Sequence, residues 1–173
     1  PFITDYYSGM IYFDDLEPAN KPAGIDRILE ECQQDYTIGY RQFKLKIGRG
    51  HKWMPFNKGI QRDIEITKAV AKAFPDCDIL VDGNNGFSVD QFIQYLQGIN
   101  SVKLFLIEEP FHETVADYQK LKNYVQKEGM STLLADGEAD PNPALLRELF
   151  EKKLLDVHLT DIEGLGFTNW RRL

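Results

Sequence analysis

The chain has 173 residues, of which 43% are hydrophobic and 27% charged, and a formal net charge of −7. This composition is that of an ordinary globular domain with a sizeable core, and the negative charge argues against nucleic acid, because phosphate binding needs a basic surface. No apolar run approaches the roughly 20 residues of a membrane span. Cys32 and Cys77 lack metal or redox spacing, which favours a reducing, cytoplasmic location.

Strand-like and helix-like segments alternate along the chain. A β-rich stretch over 2–12 precedes a predicted helix at 25–36, a strand at 43–47, a loop rich in Gly, Trp and Pro at 48–59, and a helix at 60–74. The pattern continues with strands at 79–81, 104–107, 132–135 and 157–159, and with helices at 89–97, 115–127, 143–152 and from near 168. Ser88 and Pro143 are favourable residues at helix starts.

Serial βα units predict an α/β fold with a parallel sheet, which is either open and doubly wound or closed into a barrel. The phosphate-binding glycine pattern of the open fold is absent, because Gly48-Arg49-Gly50 lacks a third glycine. We therefore predict a (β/α)8 TIM-type barrel. About six βα units are present, so we expect the chain, which begins at Pro1 without Met or a signal peptide, to be a truncated part of a longer protein.

Three acidic residues each follow a short apolar run and precede residues typical of loops. They are Asp82, Glu108 and Glu138, spaced by 26 and 30 residues, which is the length of one βα unit with its loops. Each carboxylate is therefore expected at the same end of successive parallel strands. Carboxylates that converge repel one another unless a cation lies between them, and oxygen ligands suit a hard ion such as Mg²⁺.

Lys44 and Lys46 lie on one face of the strand at 43–47, because side chains alternate with a period of two. Lysines can simply protect an edge strand. Here Phe43, Leu45 and Ile47 would face the helices, so the lysines would point into the barrel, where they need a role. We predict that Lys46, nearer the strand end, abstracts a proton and that Lys44 helps to polarise the substrate.

Several assignments stay open. The stretch 82–86 can be a plain turn as well as a ligand segment, since Asp, Asn and Gly dominate turns. Adjacent residues point opposite ways on a strand, and of Glu108 and Glu109 we choose Glu108 for the metal. Asp136 lies on the same predicted strand face as Glu138, which is preferred because it reaches further past the strand end. Asp161 can cap a glycine loop or orient a histidine from beyond Leu173.

Together these motifs resemble the enolase superfamily, in its mandelate racemase/muconate lactonizing branch. Their order and spacing agree over nearly the whole chain. The matching segments are Lys44-Leu45-Lys46, Val81-Asp82-Gly83-Asn84, Ile107-Glu108-Glu109-Pro110, Ala135-Asp136-Gly137-Glu138 and Asp161 with its glycine loop.

The resemblance implies that Asp82, Glu108 and Glu138 bind Mg²⁺, which would hold the substrate carboxylate and stabilise an enediolate. It also implies that Lys46 takes or returns the α-proton and that Asp161 pairs with a histidine after a seventh strand. The third metal position is Asp in some members of the family, which keeps Asp136 open. A capping domain sets specificity in the family, so we expect residues 1–173 to be a partial barrel domain, inactive without the remainder.

We therefore predict that the intact enzyme acts on a small-molecule carboxylate, a sugar acid or hydroxy acid, as a lyase (dehydratase) or an isomerase (racemase or epimerase). Dehydration is the first choice because it is common in this branch. One alternative is a metal-independent barrel glycosidase with paired carboxylates, which leaves the two lysines unexplained. Another is a non-catalytic barrel remnant. Open strand edges in an incomplete barrel also predict a homo-oligomer.

Overall fold

Six parallel strands form one sheet in the order β1-β2-β3-β4-β5-β6, as seen in a computed structural model that describes residues 7–139 and 141–171. The strands are β1 (Ser8–Ile11), β2 (Gln42–Lys46), β3 (Asp78–Asp82), β4 (Leu104–Glu108), β5 (Leu133–Asp136) and β6 (Val157–His158). A doubly wound sheet would reverse its strand order at a switch point. The unbroken sequential order is instead that of a barrel wall.

Helices lie between successive strands, and one more follows the last strand. They are α1 (Ile25–Ile38), α2 (Arg49–Lys52), α3 (Phe56–Ala73), α4 (Val89–Gly98), α5 (Val115–Lys127), α6 (Pro143–Glu151) and α7 (Ile162–Trp170), with a 3-10 turn at Asp14–Leu16. Helix α1 contacts α3, and each later helix up to α6 contacts the next, so these helices form one layer outside the sheet. None of the helices in the described ranges has the length and apolar character required to cross a membrane.

The predicted helix starts have a local cause in the structure. Ser88 caps α4: its hydroxyl accepts from the Gln91 amide, and the Gln91 side chain accepts from the Ser88 amide. Such a reciprocal pair satisfies two amides that a helix start leaves unpaired. Asn142 caps α6, whose first residue is Pro143, where a missing N–H costs nothing. Both predicted starts are confirmed.

Two glycine-rich segments are helical where the sequence predicted otherwise. The segment 48–59 contains α2 and the beginning of α3, and Gly59 packs so closely on α2 that an added Cβ would lie 2.0 Å from the Gly50 nitrogen. These glycines permit close helix packing and do not mark a loop. The helix predicted from near 168 begins at Ile162, and Gly166, with φ of 67°, interrupts it.

The two faces of the sheet differ in character. One face joins the helices in the main core, to which the strands contribute Phe43, Leu45, Ile79, Val81, Ile107 and Leu134. The other face carries a small apolar cluster of Leu80, Leu106 and Ala135, and by alternation it also carries Lys44, Lys46, Asp82 and Glu108 toward the carboxyl ends of the strands. The predicted β-rich stretch 2–12 contains a strand at Ser8–Ile11, and residues 2–6 of the stretch lie outside the described residues.

Candidate active site

Two lysines and two carboxylates form a buried group, here called the lysine–carboxylate cluster: Lys44, Lys46, Asp82 and Glu108. Their exposed fractions are only 4%, 7%, 0% and 3%. The Lys44 nitrogen lies 2.8 and 2.9 Å from the two Glu108 carboxylate oxygens and 3.4 Å from Asp82 Oδ2. The Lys46 ammonium donates to Asp82 and, over 2.8 Å, to Asn84 Oδ1. Four charges thus meet in a space that excludes most water.

The strand register brings these residues together. Lys46 is paired with Asp82 across β2 and β3, and Asp82 is paired with Glu108 across β3 and β4. Lys44 lies two residues before Lys46, so it points to the same face. The predicted inward orientation of both lysines is therefore confirmed. The cluster lies at the carboxyl ends of β2, β3 and β4, which is where parallel α/β barrels bind their ligands.

Burial and charge set the ionisation of the cluster. Burial raises the pKa of Glu108 to about 7; the charge of Asp82 adds to the rise, and Lys44 offsets part of it. Burial lowers the pKa of Lys44, but the hydrogen bond and charge of Glu108 and the charge of Asp82 more than compensate, so this pKa lies above its ordinary value. Lys44 is therefore a persistent cation, which suits it to stabilise negative charge.

The loop after β3 is held in an uncommon conformation. Asn84 and Asn85 have φ values of 42° and 57°, a region that costs free energy for residues other than glycine. The Asn84 amide donates to Asp82 Oδ1 over 3.0 Å, and the Asn85 amide donates to the Glu109 carbonyl over 2.8 Å. The segment is thus a turn, and the same turn places the Asn84 side chain on Lys46.

Glu109, the residue next to Glu108, bonds the loop after β5 and also interacts with Asn84. It is buried, with 1% exposed, and has a φ of 40°. Its carboxylate accepts a 2.7 Å hydrogen bond from the Ala139 amide. Burial raises its pKa, against that hydrogen bond, and the charges of Asp82 and Glu138 raise it further. Glu109 therefore connects the loop after β4 to the loop after β5.

Asp136 faces the helices and not the cluster. The Tyr118 hydroxyl of α5 donates to its carboxylate, and the Gly137 amide donates over 2.6 Å. Burial raises the pKa of Asp136 to about 7, although these hydrogen bonds lower it. The expectation that Asp136 and Glu138 share a strand face is wrong, because β5 ends at Asp136 and Gly137 turns the chain with a φ of 112°.

Asp82 and Glu108 fit a hard divalent cation. They are adjacent, buried oxygen donors, and their mutual repulsion contributes to the raised pKa of Glu108. The third predicted ligand, Glu138, is exposed. In the described part of the chain, no three His, Cys, Asp or Glu side chains are grouped so that they could hold a metal. The structure thus brings two of the three predicted ligands together.

The remaining candidates lie apart from the cluster. Asp161 is exposed at the residue preceding α7, where its side chain makes no capping hydrogen bond. His158 packs on the Phe150 ring at 5.8 Å, and burial lowers its pKa, as expected for a histidine against the sheet. His51 is exposed in α2. Cys32 is fully buried, and burial raises the pKa of its thiol to about 12, which makes it a poor nucleophile.

Sequence reasoning missed three kinds of residue around the cluster. The Tyr7 ring lies 5.0 Å from the Lys44 nitrogen, Glu109 connects two loops, and Arg49 with Asp63 is fully buried behind Lys46. No local pattern identifies them. Arg49 stands between two glycines and looks like a solvated loop residue, and Asp63 stands in a helical segment between charged and apolar residues.

Comparison with known proteins identifies the family. Residues 27–173 match the family described as enolase C-terminal domain-like. A galacturonate dehydratase from a Geobacillus species, solved with D-galacturonate and 5-keto-4-deoxy-D-galacturonate, superimposes with a TM-score of 0.86 and 36% identity over 96% of this chain and 45% of that one. A mandelate racemase/muconate lactonizing protein from Geobacillus sp. Y412MC10 was solved with magnesium and tartrate. It superimposes with a TM-score of 0.85 and 37% identity over 94% of this chain and 42% of that one.

An enzyme relative gives the same result. The L-galactonate dehydratase of Hypocrea jecorina is 26% identical over 148 residues, which cover 84% of this chain and 31% of that enzyme. The chain therefore spans about a third of this relative and less than half of the two solved proteins. The structural neighbours are TIM-barrel proteins, so the predicted barrel is confirmed. The chain belongs to the enolase C-terminal domain-like family, in the mandelate racemase/muconate lactonizing branch of the enolase superfamily.

Proposed function

We propose that the protein removes the proton next to the carboxylate of a sugar acid or hydroxy acid in a Mg²⁺-dependent reaction that proceeds through an enediolate. The observation that carries this proposal is the lysine–carboxylate cluster at the carboxyl ends of β2, β3 and β4. Two buried ammonium groups are costly to keep unless they have a counter-charge and a role. Removing a proton beside a carboxylate creates negative charge that such a site is suited to stabilise.

The two lysines have different proposed roles. Lys46 is the acid/base residue, because it lies at the strand end and its nitrogen is oriented by both Asp82 and Asn84. Lys44 keeps its positive charge, since the pKa of its ammonium is raised by Glu108 and Asp82 against the effect of burial. Such a fixed cation interacts more strongly as negative charge develops on the substrate. It therefore lowers the activation free energy of proton removal.

Asp82, Glu108 and Glu138 are the proposed Mg²⁺ ligands. When bound, the ion would supply positive charge next to the substrate carboxylate. Asp82 and Glu108 are buried and adjacent, and the loop that carries Glu138 is tied to Glu109 through the Ala139 amide. The similar Geobacillus protein solved with magnesium and tartrate supports this choice of ion and substrate class. Asp161 is proposed to orient a catalytic histidine.

Dehydration of a sugar acid is the proposed reaction in preference to racemisation. Its support is the similarity to a galacturonate dehydratase at 36% identity and to an L-galactonate dehydratase at 26%. An epimerase and a racemase are also among the relatives, over about half of this chain, and racemisation would begin with the same proton removal. The homo-oligomeric state, the cytoplasmic location and the division into capping and barrel domains stay predictions.

A substrate screen tests the proposal. The purified full-length protein would be incubated with D-galacturonate, L-galactonate, tartrate and mandelate, with Mg²⁺ or with EDTA, while new keto groups are detected by semicarbazide and optical rotation is followed. We expect a keto product from a uronate or aldonate only with Mg²⁺. Racemisation without a keto product would show that the protein is an isomerase and not a dehydratase. Hydrolysis of aryl glycosides that survives EDTA would support a glycosidase, and no turnover of any probe would support a non-catalytic remnant.

A further inference from the structure

A second buried group of charges lies directly behind Lys46. Arg49, Asp63 and Asp15 are all 0% exposed. The Arg49 guanidinium donates to Asp63 Oδ1 over 2.7 Å and to Asp15 Oδ1 over 3.0 Å, while Arg62 donates to the other Asp15 oxygen over 2.9 Å. The group joins three separate parts of the chain: the start of helix α2, helix α3, and the 3-10 turn at Asp14–Leu16.

The hydrogen bonds of this group reach the backbone that carries Lys46. Arg49 Nη1 donates to the Lys46 carbonyl over 3.3 Å. Asp63 Oδ2 accepts from the Gly48 amide over 2.8 Å and from the Arg49 amide over 3.3 Å. Gly48 has a φ of 93°, and an added Cβ there would lie 3.3 Å from the Gly83 carbonyl. The turn after Lys46 is thus fixed from behind and packed closely against the loop after β3.

Stability alone is a weak explanation for this arrangement. Burying an ion pair removes two charges from water, and apolar residues of similar volume often replace such pairs with no loss of stability. Apolar residues cannot, however, hydrogen-bond the amides of residues 48 and 49 and the carbonyl of residue 46. What the charged group adds is therefore a fixed direction for the backbone that leaves β2.

We propose that Arg49 and Asp63 are positioning residues that hold the Lys46 ammonium beside Asp82 and Asn84, with Asp15 anchoring Arg49. This inference rests on the proposed role of Lys46 in proton transfer. A displacement of a reacting group by about 1 Å can cost roughly 100-fold in rate. Loss of the Asp63 contacts should therefore lower turnover while substrate binding is retained, because Asp63 does not touch the cluster where the substrate carboxylate would bind.

The test compares Asp63→Asn and Arg49→Lys with Thr132→Val in the full-length protein, using the acid sugar identified by the screen. Thr132 is a matched control: it is buried, and its hydroxyl donates over 2.9 Å to the Leu104 carbonyl at the amino ends of the strands. We expect Asp63→Asn to lower kcat by about 10- to 100-fold with KM within about twofold, whereas Thr132→Val should lower the melting temperature and leave kcat unchanged.

The outcomes separate this inference from the proposed function. Turnover by Lys46→Ala at the unaltered protein's rate would overturn the proposed role of Lys46, on which this inference rests. Loss of turnover in Lys46→Ala, combined with unchanged kcat in Asp63→Asn, would overturn only the positioning role. The positioning role would also be overturned if Thr132→Val, at a similar loss of stability, lowered kcat as much as Asp63→Asn does. If Asp63→Asn fails to fold, Arg49→Lys decides: it keeps the charge but loses the fork of donors, and an unchanged kcat there contradicts the inference.

Discussion

The Lys44 ammonium lies 2.8 Å from one carboxylate oxygen of Glu108, 64 residues further along the chain. Their strands, β2 and β4, are not neighbours, because β3 lies between them. The ion pair therefore crosses the inner face of the sheet above β3, and Lys44 also lies 3.4 Å from Asp82 on that strand. One lysine thus balances carboxylates from two strands in a region with almost no exposure to water.

Replacing Lys44 by Met should destabilise the protein when Mg²⁺ is absent, because Glu108 and Asp82 would lose a buried counter-charge. We expect a loss of roughly 3–5 kcal/mol in the free energy of unfolding, measured by urea titration in EDTA. Lys122→Met is the control, since Lys122 pairs with Asp156 at 2.8 Å in a partly exposed place, where about 1 kcal/mol or less is expected. Equal losses in the two variants would contradict this account of Lys44.

Mg²⁺ binding should depend on Asp82, Glu108 and Glu138 and not on Asp136. Calorimetric titration of Asp82→Asn or Glu108→Gln should show no binding, and Glu138→Gln should weaken it strongly, because each variant loses a charged oxygen ligand. Asp136→Asn should bind as the unaltered protein does, since its carboxylate faces Tyr118 and the Gly137 amide. Loss of binding in Asp136→Asn with retention in Glu138→Gln would reassign the third ligand.

Glu109 should affect the affinity for Mg²⁺, because it holds the loop that carries Glu138. Its carboxylate accepts from the Ala139 amide over 2.7 Å, a bond that Gln can keep and Ala cannot. Glu109→Ala is therefore expected to weaken Mg²⁺ binding about 10-fold, the lower end of the effect of residues that support metal ligands. Glu109→Gln should stay within about threefold. The idea is wrong if both variants bind equally well, or if Gln is the weaker of the two.

The contact between α2 and α3 gives a test of packing beside the cluster. An Ala Cβ at position 59 would lie 2.0 Å from the Gly50 nitrogen, so one of the two helices must move. We expect Gly59→Ala to cost about 1–3 kcal/mol in thermal or urea unfolding, despite the better helix propensity of alanine. Lys58→Ala, an exposed neighbour in the same helix, should change stability by no more than about 0.5 kcal/mol.

Much of the candidate site could be predicted because strand alternation and strand ends are local properties. Lys44 and Lys46 had to share a face, and Asp82 and Glu108 had to follow buried strands, so their meeting needed only a parallel sheet. Asp136 and Glu138 could not be separated in this way. Their placement depends on where β5 ends, on the φ of 112° at Gly137 and on a hydroxyl from Tyr118 in another element.

The helices at 49–52 and 162–170 show a second feature that could not be predicted from the sequence. Glycine in a sequence indicates conformational freedom, but it equally permits close approach of two backbones, and only tertiary packing decides between these outcomes. The buried Arg49–Asp63 pair was missed for a related reason. Charged residues are usually exposed, and a buried pair is recognisable only when both partners, 14 residues apart, are seen in contact.

The most direct test of the central claim is exchange of the substrate α-proton in deuterated water. The protein, Mg²⁺ and the acid sugar found by the screen would be followed by NMR, with Lys46→Ala and Lys44→Ala measured alongside. We predict that the unaltered protein incorporates deuterium at the α-carbon and that Lys46→Ala loses this exchange while it still binds Mg²⁺. Undiminished exchange and turnover in Lys46→Ala would contradict the assignment of Lys46 as the acid/base residue.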